Sequence, residues 1–255
     1  MSDRSSRVLR SAGRVVGLLA VIYAGLWVVG LPLMHVLTWY EARNLVAGEP
    51  AVRLRIEPLP DVSRADLGDG ATVTKLGYSI WFPWKTVSKQ QDFKQGSSIA
   101  FVHGGGALLL EWGHSLDPRP RKEEHPEVEA MSRKMLGDGV MSSEYSFVDR
   151  AMQAQPEDVS LWHSRARNGI DTMLLVDKMG TMHSKVANLY RIAGGHMRGF
   201  EMTPVAGSRG PIQLELFDEK DQRIELMLQQ PKAVEDGTWT QAEVNAVVAS
   251  IVPPE

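Results

Sequence analysis

The chain has no cysteine in 255 residues. That excludes disulfides, thiolate metal sites, thiol nucleophiles and a lipid-modified cysteine anchor. It is compatible with an oxidising compartment, where stray thiols are a liability. Charge is missing locally: residues 15–40 contain no Asp, Glu, Lys or Arg. Catalytic spacing is missing as well. There is no G-x-S-x-G elbow, no HExxH pair, no P-loop and no complete dinucleotide fingerprint. The sequence therefore calls for no catalytic residue, no cofactor and no metal.

The charges that are present are unevenly placed. Residues 1–14 carry Arg4, Arg7, Arg10 and Arg14 against Asp3, a net of +3, and residues 41–255 carry 24 basic and 30 acidic side chains, a net of −6. Nucleic-acid binding rests largely on neutralising phosphates, so a domain of that balance is not expected to bind nucleic acid.

Val15 to Leu37 reads VVGLLAVIYAGLWVVGLPLMHVL. As a helix it spans roughly 35 Å, enough for a hydrocarbon core about 30 Å thick. Trp39 and Tyr40 follow, where an interfacial aromatic belt belongs. Four arginines precede the segment and only Arg43 lies within ten residues after it, so the N-terminus is expected in the cytoplasm and the rest outside. The expected partner of residues 15–37 is the lipid bilayer, a bacterial inner membrane on this reading. A cleaved signal peptide has the same basic-then-apolar order. Its apolar core is shorter, about 7–15 residues, and ends in small residues at a cleavage site, whereas the best candidates here, Val28 and Gly30, lie inside the run. The expected organisation is a basic cytoplasmic tail at 1–14, a transmembrane helix at 15–37, a juxtamembrane linker at 38–70 and an extracytoplasmic domain at 71–255.

Pro50, Pro58, Pro60 and the turn-like Leu67-Gly-Asp-Gly70 mark the linker. Beyond it, strand signals fall at 72–82, at 98–112 around three glycines, and at 186–192, 198–203, 211–217 and 222–229. The last two form the clearest pattern. Ile212, Leu214 and Leu216 alternate with Gln213 and Glu215, Asp218 to Asp221 turn the chain, and Ile224, Leu226 and Leu228 alternate with Arg223, Glu225 and Met227. That predicts an antiparallel hairpin with one wet face. Between the strands, Pro126 opens a helix over 126–136, Ser142 or Ser143 caps a second to about Gln155, and Pro156 opens a third to about Arg167. Residues 170–179 fit helix or strand. Thr240-Gln-Ala-Glu243 is a capping box for a helix to about Ile251.

The predicted fold is α+β: one N-terminal transmembrane helix, then a single domain with helices packed on one side of an antiparallel sheet. The element order over about 70–252 is similar to that of PsbP-like and Mog-like domains. No motif accompanies the similarity, and it implies no function.

Individual motifs support chemistry weakly. His103-Gly-Gly-Gly106 resembles an oxyanion-hole loop, but the required serine elbow is missing, so a tight turn or bulge is expected. His103, His114, Asp117, Glu123, Glu124 and His125 crowd together without metal-ligand spacing. His163, His183 and His196 fall in different elements. Trp81-Phe82-Pro83-Trp84 is the densest aromatic cluster, and Trp81, Phe82 and Trp84 are the candidate binding surface, against the alternative that their rings fill the core. Trp112 and Trp162 are expected in the core. The functional expectation is a membrane-tethered domain that binds another envelope component, protein or glycan. The alternatives are an envelope hydrolase whose site forms only in space, and a carrier of lipid or another hydrophobic ligand.

Overall fold

The computed structural model describes residues 36–254 except 38, 41–42, 45–48, 61–69, 76, 84–86, 93–95, 104–105, 114–117, 121–122, 183–185, 206–209 and 229–239; for 87–113 it describes the backbone alone. Apart from Val36 and Leu37, the apolar segment at 15–37 lies outside the described residues. Among the described residues no helix is long and apolar enough to cross a membrane.

The chain is α+β. Ten strands are described: β1 (Ile56–Pro58), β2 (Ala71–Lys75), β3 (Tyr78–Phe82), β4 (Val87–Asp92), β5 (Gly96–His103), β6 (Gly106–Gly113), β7 (Val186–Gly194), β8 (Met197–Pro204), β9 (Ile212–Phe217) and β10 (Arg223–Leu228). The helices are α1 (Pro126–Leu136), α2 (Asp138–Ser142), α3 (Glu144–Gln153), α4 (Arg165–Thr181) and α5 (Gln241–Ala249), with 3-10 turns at Pro50–Arg53 and Pro156–Asp158.

Eight strands form one sheet in the order β1-β7-β8-β9-β10-β6-β5-β4. It joins two antiparallel meanders, β4-β5-β6 and β7-β8-β9-β10, through the β10–β6 pair. At the far edge β1 pairs parallel with β7, Ile56 opposite Leu189, so the sheet is mixed rather than wholly antiparallel. A strand arriving from the N-terminal side with no hairpin to reverse it can add in parallel. Pro58 closes it, which suits an edge strand. Regular structure is thus present well before Ala71: residues 36–37, 39–40 and 43–44 are helical, and a 3-10 turn follows at Pro50–Arg53 within the stretch that reads as a linker.

The layering also departs from expectation. Both sheet faces are covered. On one face α5 and the separate β2–β3 hairpin bury Tyr78, Ile80, Phe82, Val244 and Val247 against Leu214, Leu216, Ile224 and Leu226. On the other face, α3 brings Val148 and Met152 onto Leu189, Phe200, Met202 and Phe217. A third cluster lies among the helices, where Phe147 and Ala151 meet Ile170, Leu174 and Leu175. Each such fully buried side chain contributes about 1.5–3 kcal/mol by leaving water, against the entropy of ordering it. At the crowded centre of the sheet, a Cβ on Gly199 would lie 1.9 Å from the Glu215 carbonyl oxygen, so no larger residue fits there.

Local signals explain most boundaries. The 72–82 stretch is two strands because Gly77, at φ 84°, turns the chain between them. The three-glycine stretch is a hairpin, with His103 opposite Gly106. Ser143 caps α3 by accepting from the Ser146 N–H at 3.1 Å, and Thr240 and Glu243 form the predicted capping box. The helix predicted from Pro156 is a single 3-10 turn. The long helix starts at Arg165 and runs through Asn168-Gly169 to Thr181, past the ending expected at about Arg167. Asn168 is buried and exchanges two hydrogen bonds with the Ser160 backbone, 3.1 and 2.8 Å, so it anchors α4 instead of terminating it.

Candidate functional site

The predicted aromatic surface is divided by the fold. Phe82 is fully buried in the core and presents nothing to a partner, because alternate residues of β3 (Tyr78, Ile80, Phe82) all point inward. Trp81 is half-buried; its backbone N–H donates to Ser250 Oγ at 2.9 Å, tying β3 to the end of α5. Trp84 lies outside the described residues, as does the side chain of Trp112. Trp162 is not in the core: it is 94% exposed.

The histidines do not converge where they are described. His163 Nδ1 lies 3.0 Å from the Asp158 carbonyl, and His196 stands at the β7–β8 turn, 3.8 Å from Glu219. His114, Asp117 and His183 lie outside the described residues. Among the described residues no group of histidines and acids is arranged to hold a metal ion. The His103–Gly106 segment joins adjacent antiparallel strands, not a strand and a helix as in the esterase fold.

What sequence reasoning missed is a closed polar cluster beneath the helices. Gln213, Glu215 and Arg223 sit on the face of β9–β10 predicted to be wet, yet they are 3%, 1% and 8% exposed. Arg223 Nε donates to Glu215 Oε2 at 2.7 Å, and its guanidinium lies 3.5 Å from Glu144 on α3. Gln213 Nε2 donates to the Thr181 carbonyl at the end of α4 and faces Glu215 and Glu225 at 3.3 and 3.2 Å. Burial pushes the Glu215 carboxyl upward, and Arg223 opposes it. These groups specify which helix residues dock on the sheet. Gln213 Oε1 is buried without a hydrogen-bond partner among the described residues, but the cluster as a whole is closed off beneath the helices and is not open to a substrate. The signal that could have found them is topological: two further helices needed a sheet face to cover.

On the opposite face Glu201 is fully buried among apolar neighbours, and burial pushes its carboxyl up to about 7. Gln241 Nε2 lies 2.8 and 3.0 Å from its two oxygens, the contact that favours its charged form.

At the β1 edge a cleft of about 510 Å³ lies between β1 and the end of α3. Arg55, Glu57, Gln153, Gln155 and Arg191 line it. Its near wall is pinned from beneath by Lys178, which is fully buried and donates to the carbonyls of Leu54 and Ala154 at 2.8 and 3.0 Å. Burial pushes that ammonium down to about 8. Gln155 Nε2 reaches the same Leu54 carbonyl at 3.2 Å, and Arg191 is held at 2.5 Å by Asp149. Arg55 makes no ion pair with a described residue and is free to meet a ligand.

Comparison with known proteins finds no matching family model, no matching curated protein and no matching solved structure.

Proposed function

We propose that the chain is a single-pass membrane protein, with residues 15–37 in the bilayer and residues 1–14 in the cytoplasm, whose outer domain binds another envelope component. The observation that carries the binding role is the rigidly walled polar cleft at the β1 edge. Apart from the Glu57 carboxylate, the polar lining is guanidinium and amide groups, which present fixed hydrogen-bonding patterns and do not exchange protons near neutral pH, and this suits recognition better than acid–base catalysis. A polypeptide fits better than a glycan, since none of the described lining residues is an aromatic ring on which a sugar could stack. An acidic or amide-rich segment would meet Arg55 and the Gln153 and Gln155 amides. Outward placement of the domain follows the arginine bias around residues 15–37.

The absence of native cysteine makes a direct test simple, because one introduced thiol is unique. Glu219→Cys, whose native side chain is 80% exposed, is expected to react with a membrane-impermeant maleimide in intact cells (after outer-membrane permeabilisation if there is one). Protection until lysis would place the domain inside and remove the envelope reading. A photo-crosslinker at Gln153 is then expected to trap one partner reproducibly, and Arg55→Glu to abolish the adduct while leaving the fold intact. Adducts that persist in Arg55→Glu would move recognition away from the cleft.

A further inference from the structure

Trp162 is the largest unexplained exposure on the described surface. It is 94% exposed, with Leu161 beside it at 39%. The loop carrying it is not frayed. Ser160 is clamped by Asn168, the Trp162 N–H donates to Ser160 Oγ at 3.3 Å, and the His163 N–H donates to the Ser160 carbonyl at 3.1 Å. An ordered loop is therefore holding an indole out into solvent, and large aromatic surface is costly to leave in water.

The point where the tether arrives gives this exposure a meaning. Trp39, two residues beyond the apolar segment, packs on the helical cluster, and its Nε1 donates to the Val159 carbonyl at 3.2 Å. Val159 is three residues before Trp162, so the two Cα atoms are at most about 11 Å apart along the chain. Arg43 lies over the Trp39 ring, 5.4 Å from its centroid, and exposed Arg165 follows Trp162 by three residues. Val36, Leu37 and Tyr40 are exposed on the tether itself, at 42%, 43% and 57%. Indole rings beside apolar side chains, with guanidinium groups at the rim, are the composition that settles at the headgroup level of a bilayer.

We infer that the Ser160–His163 loop is a second membrane contact: Trp162 and Leu161 enter the phospholipid interface beside the exit of the transmembrane segment, and Arg43 and Arg165 meet lipid phosphates. The inference rests on residues 15–37 being a membrane anchor. With the tether held at Val159 and the loop seated beside it, the domain has two points of attachment. It stands at a set tilt on the membrane rather than swinging freely on its linker.

The test uses the full chain carrying Leu161→Cys labelled with an environment-sensitive fluorophore. It is reconstituted in vesicles of phosphatidylcholine and phosphatidylglycerol, with and without lipids bearing a quencher near the headgroup. Gly180→Cys is the comparison: an added Cβ meets nothing within 4 Å there, and the site lies about 20 Å further along α4. The expected result is a blue-shifted emission that quencher lipids extinguish at 161 and not at 180, with Trp162→Ser reversing the shift at 161. Flotation with the vesicles is scored first. A chain that does not float overturns the anchor, and this inference with it. A chain that floats while label 161 stays water-like, or shifts blue without lipid quenching, overturns the inference and leaves the anchor standing; the latter result assigns the loop to a protein contact.

Discussion

Glu201 is a carboxyl buried away from the protein surface. Its nearest polar neighbour is the Gln241 amide, and its folded value of about 7 stands above the ordinary 4.5. The folded chain therefore keeps a proton that the unfolded chain releases. The contribution of this group to stability is largest below about pH 4.5, falls as the pH rises to 7, and stays reduced above that. Glu201→Gln keeps the size and removes the titration. It is expected to stabilise the protein by on the order of 2–3 kcal/mol at pH 8 and by little at pH 4, measured by denaturant unfolding at both. An equal effect at the two pH values would show that Glu201 carries no penalty for its charge. The exposed aromatic residues make a related point at the same scale: Phe82 and Trp162 are similar hydrophobes, and only their neighbours decide that one is core and the other surface.

At the scale of elements, the joints are made by side chains reaching between distant segments. Asp221 occupies the β9–β10 turn with a positive φ of 64°, a conformation uncommon for a residue with a Cβ. Its carboxylate accepts from Ser143 Oγ at 3.0 Å and from the backbone N–H groups of Glu144 and Tyr145 at 2.5 and 3.1 Å. It thus serves as a second cap for α3 from across the fold, and its negative charge suits the positive end of the helix. Asp221→Ala is expected to cost about 2 kcal/mol of stability in thermal or urea unfolding. Asp221→Asn, which tolerates the same backbone conformation and keeps an acceptor, is expected to cost less. Equal losses would mean that the whole effect lies in the carboxylate charge, and that the acceptor and the backbone tolerance kept by Asn contribute nothing. Lys178 is the matching joint at the other end of α3, fastening Leu54 and Ala154 together and so giving the β1 cleft a fixed wall.

At the scale of the whole molecule, the anchor reading proposed above makes the domain and the segment before it separable parts. Among the described residues, each cluster of buried side chains draws on residues from Ala51 onward, with Trp39 packed at the edge of one. A chain beginning at Val36 is expected to remain folded by circular dichroism and to leave the membrane fraction for the soluble one. Retention in the membrane fraction would locate the attachment in the domain itself, with the Trp162 loop as the first place to look.

The amino-acid sequence by itself determined the features that depend on neighbours along the chain. Pro126 and the following acids start α1 at the predicted residue, Ser143 and the Thr240–Glu243 box cap their helices, and strict alternation marks β9 and β10 as a hairpin. The α+β class follows from those local signals. The tertiary structure decided whatever depends on what is laid on top. The alternation of β9 was legible, but a polar stripe on a strand looks the same whether water or a helix covers it; here α3 and α4 cover it, and Gln213, Glu215 and Arg223 become a buried cluster. The helix ending expected at about Arg167 failed because the next residue, Asn168, found a partner in Ser160, eight residues away and invisible to local propensity. The β1 edge was hidden for the same reason: three residues ending in proline carry almost no strand signal, and only the free edge of β7 makes them one. The cleft that edge creates, and the approach of Trp39 to the loop that carries Trp162, exist only once distant segments have been brought together.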